Sequence, residues 1–257
     1  MYTNIAGYKF ISLDNLDQWQ AMFIAHTELC RGTILLSPEG ININLAGTAE
    51  NIQQFSFFLA TLPLFADLIL KPSLSEKMPF KFMRVKIKNE IITMHQPTIE
   101  PTKAKAESLS PHTLKQWLDE KRQFTLLDTR NGYEVAFGSF EQAMHLNIDD
   151  FSDFPQASLT ITKDKPVVMF CTGGIRCEKA ALYMEKQGYE QVYQLEGGIL
   201  NYFAQVGGAH YDGECFVFDQ RISLNTSLQE TGTSQCLTCF GPVSANTHHE
   251  QCNLSKG

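Results

Sequence analysis

The residues most able to do chemistry stand together in PVVMFCTGGIRCEKAALYM, positions 166–184. An apolar run stops at Cys171, two glycines and Arg176 follow, and a second thiol, Cys177, sits at the start of a helical pattern. A loop that enters a helix in this way turns backbone N–H groups, which lack helical partners, toward its own centre. The helix dipole adds partial positive charge. Gly173 and Gly174 permit positive φ and close approach, and Arg176 supplies a cation. Each of these favours thiolate over thiol, so Cys171 is expected to be a low-pKa nucleophile. Thr172, Gly173, Gly174 and Ile175 would cradle an anion formed on it, such as a persulfide or an oxyanion. A buried structural cysteine is the competing reading, but packing explains neither the glycine pair nor the arginine. Cys177 keeps two readings: a thiol that resolves a persulfide or disulfide on Cys171, or packing filler.

The elements that must hold this loop read as a parallel α/β domain over 109–208. Ser110-Pro111 starts a helix, FTLLDTR is a strand, and PVVMF is a strand with no polar residue, as suits a strand covered on both faces. Ile175–Gln187 is a helix stopped by Gly188, and QVYQLEGG is a third strand ending in a glycine turn. Strands alternating with helices indicate a parallel sheet. Upstream, residues 1–96 give the order β-α-β-β-α-β of a ferredoxin-like sandwich. YKFISL opens it as a strand, and Asp14 is expected to cap a helix from Leu16 to Glu28. RGTILLS and GININLAG form a hairpin with Ile41, Ile43 and Leu45 on one face. Thr48 caps the second helix, DLILK is a short strand and KFMRVKIKNEIITM a longer one. Residues 97–108, rich in Pro, Thr, Lys and Ala, read as a linker, and 209–257 as an irregular tail with four of the seven cysteines.

Further candidates have weaker patterns. Asp128 and Arg130 close the strand beside the expected loop and read first as a buried ion pair supporting it, with Glu134 able to meet Arg130 at helical spacing. Within 71–88 lie six of the chain's 21 basic residues. Lys81 precedes Arg84, Lys86 and Lys88, which alternate with Val85 and Ile87 and so share one face of a strand, near Phe80 and Phe82. That suits phosphate contact and base stacking; a solvated outer face is the plainer alternative. Cys236 and Cys239 are spaced for metal, and with His249 and Cys252 they form a candidate structural zinc set; a tail of unligated thiols is the other reading. Asp219 and Arg221 would share one strand face. Cys30 and Cys215 read as small apolar residues.

Composition narrows the class. The chain has 257 residues, is 43% hydrophobic and 19% charged, and has net charge −7, so it can bury ordinary cores and is not a basic nucleic-acid binder overall. The N-terminus lacks a signal-peptide pattern, and no apolar run approaches the ~20 residues of a membrane span. A cytoplasmic place and no membrane partner are therefore expected, where clustered cysteines point to metal or chemistry rather than disulfides. No G-x-G-x-x-G opens a helix and no two-His-one-carboxylate set is visible, so no flavin, nicotinamide or iron site is expected.

LLDTRNGYEVAFGSFEQAMHLNI, VVMFCTGGIRCEKAALYM and VYQLEGGILNYF together resemble a rhodanese domain, through an Asp-x-Arg, a Cys-x4-Arg loop and a Gly-Gly turn. In that superfamily the six-residue loop, Cys171 to Arg176, goes with sulfur transfer rather than phosphate chemistry. With GININLAG and DGECFVFDQR the resemblance extends over the chain to the bacterial rhodanese-containing oxygen-dependent tRNA uridine hydroxylases. It implies hydroxylation of the wobble uridine at carbon 5, molecular oxygen as co-substrate and tRNA rather than DNA as partner, and the chemistry of the loop places Cys171, Arg176 and Cys177 at the catalytic site. It is silent on oligomeric state. A plain sulfurtransferase carrying a persulfide on Cys171 and a non-catalytic RNA-binding module remain as alternatives.

Overall fold

In the computed structural model, residues 1–243 are described, and the chain divides into two compact units, Met1–Lys105 and a second beginning at Ala106. The first is a five-stranded sheet with two helices. Its elements are β1 (Tyr2–Phe10), α1 (Leu16–Ala25), β2 (Arg31–Ser37), β3 (Gly40–Gly47), α2 (Ala49–Thr61), β4 (Lys71–Ser75) and β5 (Met83–Ile87). The strand order is β4-β1-β3-β2-β5. The first four strands are antiparallel, with the ferredoxin-like connectivity expected, and β5 is added to the edge, parallel to β2. Ile41, Ile43 and Leu45 are fully buried beside Phe23, Phe55 and Phe65, as their alternation predicts.

Local physics moves some boundaries. Asn15, not Asp14, is the N-cap of α1, in a left-handed conformation (φ 53°) that asparagine tolerates well, and α1 ends at Ala25 rather than Glu28. Thr48 caps α2 by accepting the Asn51 N–H. DLILK is not a strand. Residues 68–70 pass over Gly7, where the Ile69 carbonyl leaves no room for a Cβ, and pairing with β1 starts at Lys71. The long strand expected over 81–94 is only Met83–Ile87, because the Glu90 carboxylate accepts the N–H groups of Met94 and His95 and turns the chain.

The second unit holds an all-parallel sheet. β6 (Glu107–Leu109), α3 (Pro111–Asp119), β7 (Thr125–Asp128), α4 (Gly132–Val135), β8 (Gly138–Phe140) and β9 (Met144–His145) are followed by α5 (Phe154–Ala157), β10 (Val167–Phe170), α6 (Ile175–Lys186), β11 (Val192–Leu195) and α7 (Gly198–Val206). The order is β6-β11-β10-β7-β9. β10 lies at the centre and is buried throughout, as its unbroken apolar sequence requires. Ser110 caps α3, with Pro111 as its first residue. Short strands β12 (Tyr211–Gly213), which pairs with β8, β13 (Cys215–Phe216) with β14 (Ser223–Leu224), and β15 (Ser234–Gln235) with β16 (Pro242–Val243) complete the described chain. Among the described residues, no helix is long and apolar enough to cross a membrane.

Candidate active site

Three turns meet at the carboxyl ends of neighbouring parallel strands, the position where open α/β sheets form their crevices. Register pairs Phe170 with Asp128, so Cys171 leaves β10 beside Thr129 and Arg130, which leave β7. The Gly197-Gly198 turn follows β11 on the other side. Gly174 takes φ 104° and starts α6 at Ile175, which bends the loop back over Cys171. Gly198 must be glycine, since a Cβ there would sit 2.4 Å from the Cys171 carbonyl oxygen. Behind it, the N–H groups of Ile199 and Leu200 donate to the carbonyls of Cys171 and Thr172 at 2.9 and 3.1 Å. The crest of the loop at Gly173 is open: a Cβ there would meet nothing within 4 Å.

The Cys171 sulfur accepts the Gly174 N–H at 3.1 Å. It is fully buried, and burial by itself pushes a thiol up. The Cys177 thiol, the Arg176 charge and the N–H groups of Arg176 and Gly174 outweigh that, and the Cys171 pKa falls to about 5. At neutral pH the sulfur is therefore a thiolate. Cys177, fully buried in the first turn of α6, is held well above the usual thiol range by burial and by donating to Cys171. Thr129 Oγ1 lies 3.6 Å from its sulfur.

Arg176 does not aim its guanidinium at the sulfur. Nη1 and Nη2 grip the two oxygens of Glu134 at 2.5 and 2.8 Å, and Thr172 donates to the same carboxylate. Arg176 therefore acts on Cys171 through its charge and its backbone N–H, while the fork fixes the loop to α4. Glu134 thus meets Arg176 and not Arg130, contrary to the helical-spacing expectation. Arg130 instead clasps Asp128, Nε to Oδ1 at 2.9 Å and Nη2 to Oδ2 at 2.6 Å, both side chains fully buried. Ser139 donates to Asp128 and Arg130 to the Gly138 carbonyl. Ile175 serves as the first residue of α6, half-buried.

The segment after α7 also belongs to this neighbourhood. Cys215 packs in the core as a small apolar residue, as expected, its thiol donating to the Phe216 carbonyl at 3.6 Å, and burial pushes its pKa up to about 12. Asp219 and Arg221 lie in a turn between β13 and β14 rather than on a strand, and form a second clasp with Nε to Oδ1 at 2.9 Å and Nη2 to Oδ2 at 2.5 Å. Just before it, Phe218 is 61% exposed, edge-on to Phe216, with the Arg176 guanidinium 5.9 Å from its ring centre. Gln220, Arg221, Ile222, Glu230 and Leu237 are among the residues lining a cleft of about 410 Å³.

In the first unit, Lys81, Arg84, Lys86 and Lys88 are all exposed, while Met83, Val85 and Ile87 face the core. Arg84 lies 5.5 Å over the exposed ring of Phe82. Of the candidate zinc set, Cys236 and Cys239 are described, whereas His249 and Cys252 lie outside the described residues. Among the described residues, no three His, Cys, Asp or Glu side chains group to hold a metal.

Comparison with known proteins accords with this architecture. Residues 2–91 match the UPF0176 acylphosphatase like domain and residues 110–205 the rhodanese-like domain. A tRNA uridine(34) hydroxylase of Burkholderia pseudomallei (strain K96243) is 48% identical over 257 residues, covering 95% of this chain and 86% of that protein. One of Cupriavidus taiwanensis is 51% identical over 250 residues, covering 93% and 89%. The chain belongs to the tRNA uridine(34) hydroxylase family. Among solved structures, the rhodanese-like domain of an Anabaena protein aligns with 56% of the chain and 96% of its own length, at 24% identity and TM-score 0.37. As a family member, the chain pairs an acylphosphatase-like unit, bearing the basic strand, with a rhodanese-like unit, bearing the thiolate. Sequence reasoning singled out Glu134 but gave it Arg130 rather than Arg176, because nothing local ties residues 42 positions apart.

Proposed function

We propose that the chain hydroxylates the wobble uridine, position 34, of tRNA at carbon 5, with molecular oxygen as co-substrate and Cys171 as the attacking group. The observation that carries the residue assignment is the Cys171 sulfur itself, buried at a helix start and accepting the Gly174 N–H at 3.1 Å. A thiolate adds to carbon 6 of uracil and moves the electron pair of the 5,6-double bond to carbon 5, the carbon that takes up oxygen. The loop amides and the Arg176–Glu134 pair hold charge on the sulfur as it leaves again. One oxygen atom of O2 stays on carbon 5. The other becomes water with two electrons and two protons, the equivalent of two thiols becoming one disulfide.

Lys81, Arg84, Lys86 and Lys88 supply phosphate contacts, and Phe82 a face for stacking. Of these, Arg84 and Lys86 lie on the edge strand β5, where charge also deters edge pairing. The test is incubation of the full chain, and of Cys171→Ala, with unmodified tRNA in air, followed by nucleoside mass spectrometry. Uridine gaining one oxygen in the wild type and not in the variant is the expected result. Thiosulfate:cyanide turnover with no change in any tRNA would instead assign the loop to sulfur transfer.

A further inference from the structure

The Cys177 thiol is placed against the Cys171 sulfur by three local features. Its N–H donates to the Gly174 carbonyl at 3.0 Å, which sets the first turn of α6 directly over the loop. Gly174, whose carbonyl it meets, donates its own N–H to the Cys171 sulfur at 3.1 Å, so one residue links the two cysteines. Thr129, whose hydroxyl donates to the Phe170 carbonyl at 3.1 Å, lies 3.6 Å from the Cys177 sulfur. The backbone bond would form with any residue at this helical position, but the Thr129 hydroxyl meets the Cys177 sulfur itself, and both sulfurs are fully buried, away from bulk solvent. Two neighbouring buried thiols become a disulfide by side-chain rotation where their Cα atoms lie about 4.4–6.8 Å apart.

We propose that Cys177 is the two-electron donor of the hydroxylation, and that each turnover leaves a Cys171–Cys177 disulfide. The inference rests on Cys171 attacking uridine 34. The Cys171 thiolate adds to carbon 6, and the electron pair at carbon 5 bonds O2 to give a peroxide anion. Cys177 protonates it, and the resulting Cys177 thiolate attacks the outer oxygen. The O–O bond breaks, leaving a sulfenic acid on Cys177 and an alkoxide at carbon 5 that takes a solvent proton. Carbon 5 then loses its original proton and Cys171 leaves carbon 6, which restores the double bond. Finally the Cys171 thiolate attacks the Cys177 sulfenic acid and expels hydroxide, which becomes water. The sum is uridine, O2, one thiolate, one thiol and one proton giving 5-hydroxyuridine, one disulfide and one water. An external dithiol resets the pair by thiol–disulfide exchange.

The test is a turnover count without reductant. The full chain is freed of thiol under nitrogen and mixed with unmodified tRNA in air-saturated buffer. One 5-hydroxyuridine per chain is expected, followed by arrest, with the Cys171–Cys177 peptide linkage appearing in step, and dithiothreitol restores turnover. Cys177→Ser and Cys177→Ala are expected to lose this burst while iodoacetamide still labels Cys171 and tRNA still binds. Product beyond one per chain without thiol overturns the proposal. So does a full burst from either variant, or a disulfide forming equally fast with tRNA already hydroxylated at position 34. If the wild type makes no product even with dithiothreitol, the hydroxylase reading of Cys171 fails and this inference falls with it. A full burst from the Cys177 variants defeats this inference alone.

Discussion

Arg84 and Arg130 carry the same guanidinium into opposite surroundings. Arg84 stands on an exposed edge strand, its charge over an exposed phenyl ring. Arg130 is fully buried, and its Nε and Nη2 grip one carboxylate while Nη1 has no hydrogen-bond partner. Arg176 resembles Arg130, being forked onto Glu134. Arg221 lies between the extremes but near the buried one: its clasp on Asp219 repeats the Asp128–Arg130 geometry with side chains 8% and 7% exposed. In water an exposed charge pair contributes little to stability, whereas a buried charge that loses its partner costs far more than the pair contributes. Burial, more than residue type, therefore separates the cations that build the loop from those that face outward.

Breaking the deepest clasp should have the largest effect. Arg130→Ala or Asp128→Ala leaves a buried charge alone and is expected to cost about 3–5 kcal/mol in urea unfolding, whereas exchanging both for apolar residues of similar volume costs much less. Next comes the thiolate. Alkylation of Cys171 should titrate with a midpoint near 5, and Arg176→Ala should move that midpoint up by removing a charge that holds it down. The sign of the linked stability follows. The folded-state pKa of about 5 lies below the value of about 8.5 for an unfolded thiol, so the contribution is complete above the unfolded value and is lost as pH falls through 5. Wild type should therefore gain stability over Cys171→Ser between pH 6 and pH 8.5, read as diverging urea midpoints. Asp219→Ala, at the shallower clasp, should cost about 1–3 kcal/mol; a loss equal to that at Asp128 would erase the distinction. The smallest change in stability belongs to Arg84→Ala, Lys86→Ala and Lys88→Ala, each within about 0.5 kcal/mol. Their tRNA affinity should nonetheless fall, with the salt slope of binding reduced by about 1 for each lost phosphate contact.

What the sequence disclosed was whatever depends on near neighbours. The alternation around Ile43, the unbroken apolar VVMF, the caps at Thr48 and Ser110, and the glycine-rich entry into α6 are local signals, and the structure reproduces them. The outward face of Arg84, Lys86 and Lys88 follows from period two alone. What failed depended on distance or on competing local bonds. The choice of Arg176 by Glu134 is a tertiary decision, as is the alignment of β5 with β2. Asp219 and Arg221 could share a strand face by spacing, yet the carboxylate accepts the Arg221 N–H at 3.0 Å and makes a turn instead. Asn15 displaced Asp14 because the chain needed a left-handed residue there.

The two hydrogen bonds from the start of α7 to the Cys171 and Thr172 carbonyls have a consequence for how the site loosens. A loop of six residues would ordinarily exchange its amide protons with solvent readily. This one is fastened to a helix that packs Ile199, Tyr202 and Phe203 into the core, so its opening must wait for that helix to undock. In deuterium uptake the reactive loop should move with the slow amides of α7, and heat should extinguish chemistry and helix together as a single cooperative event.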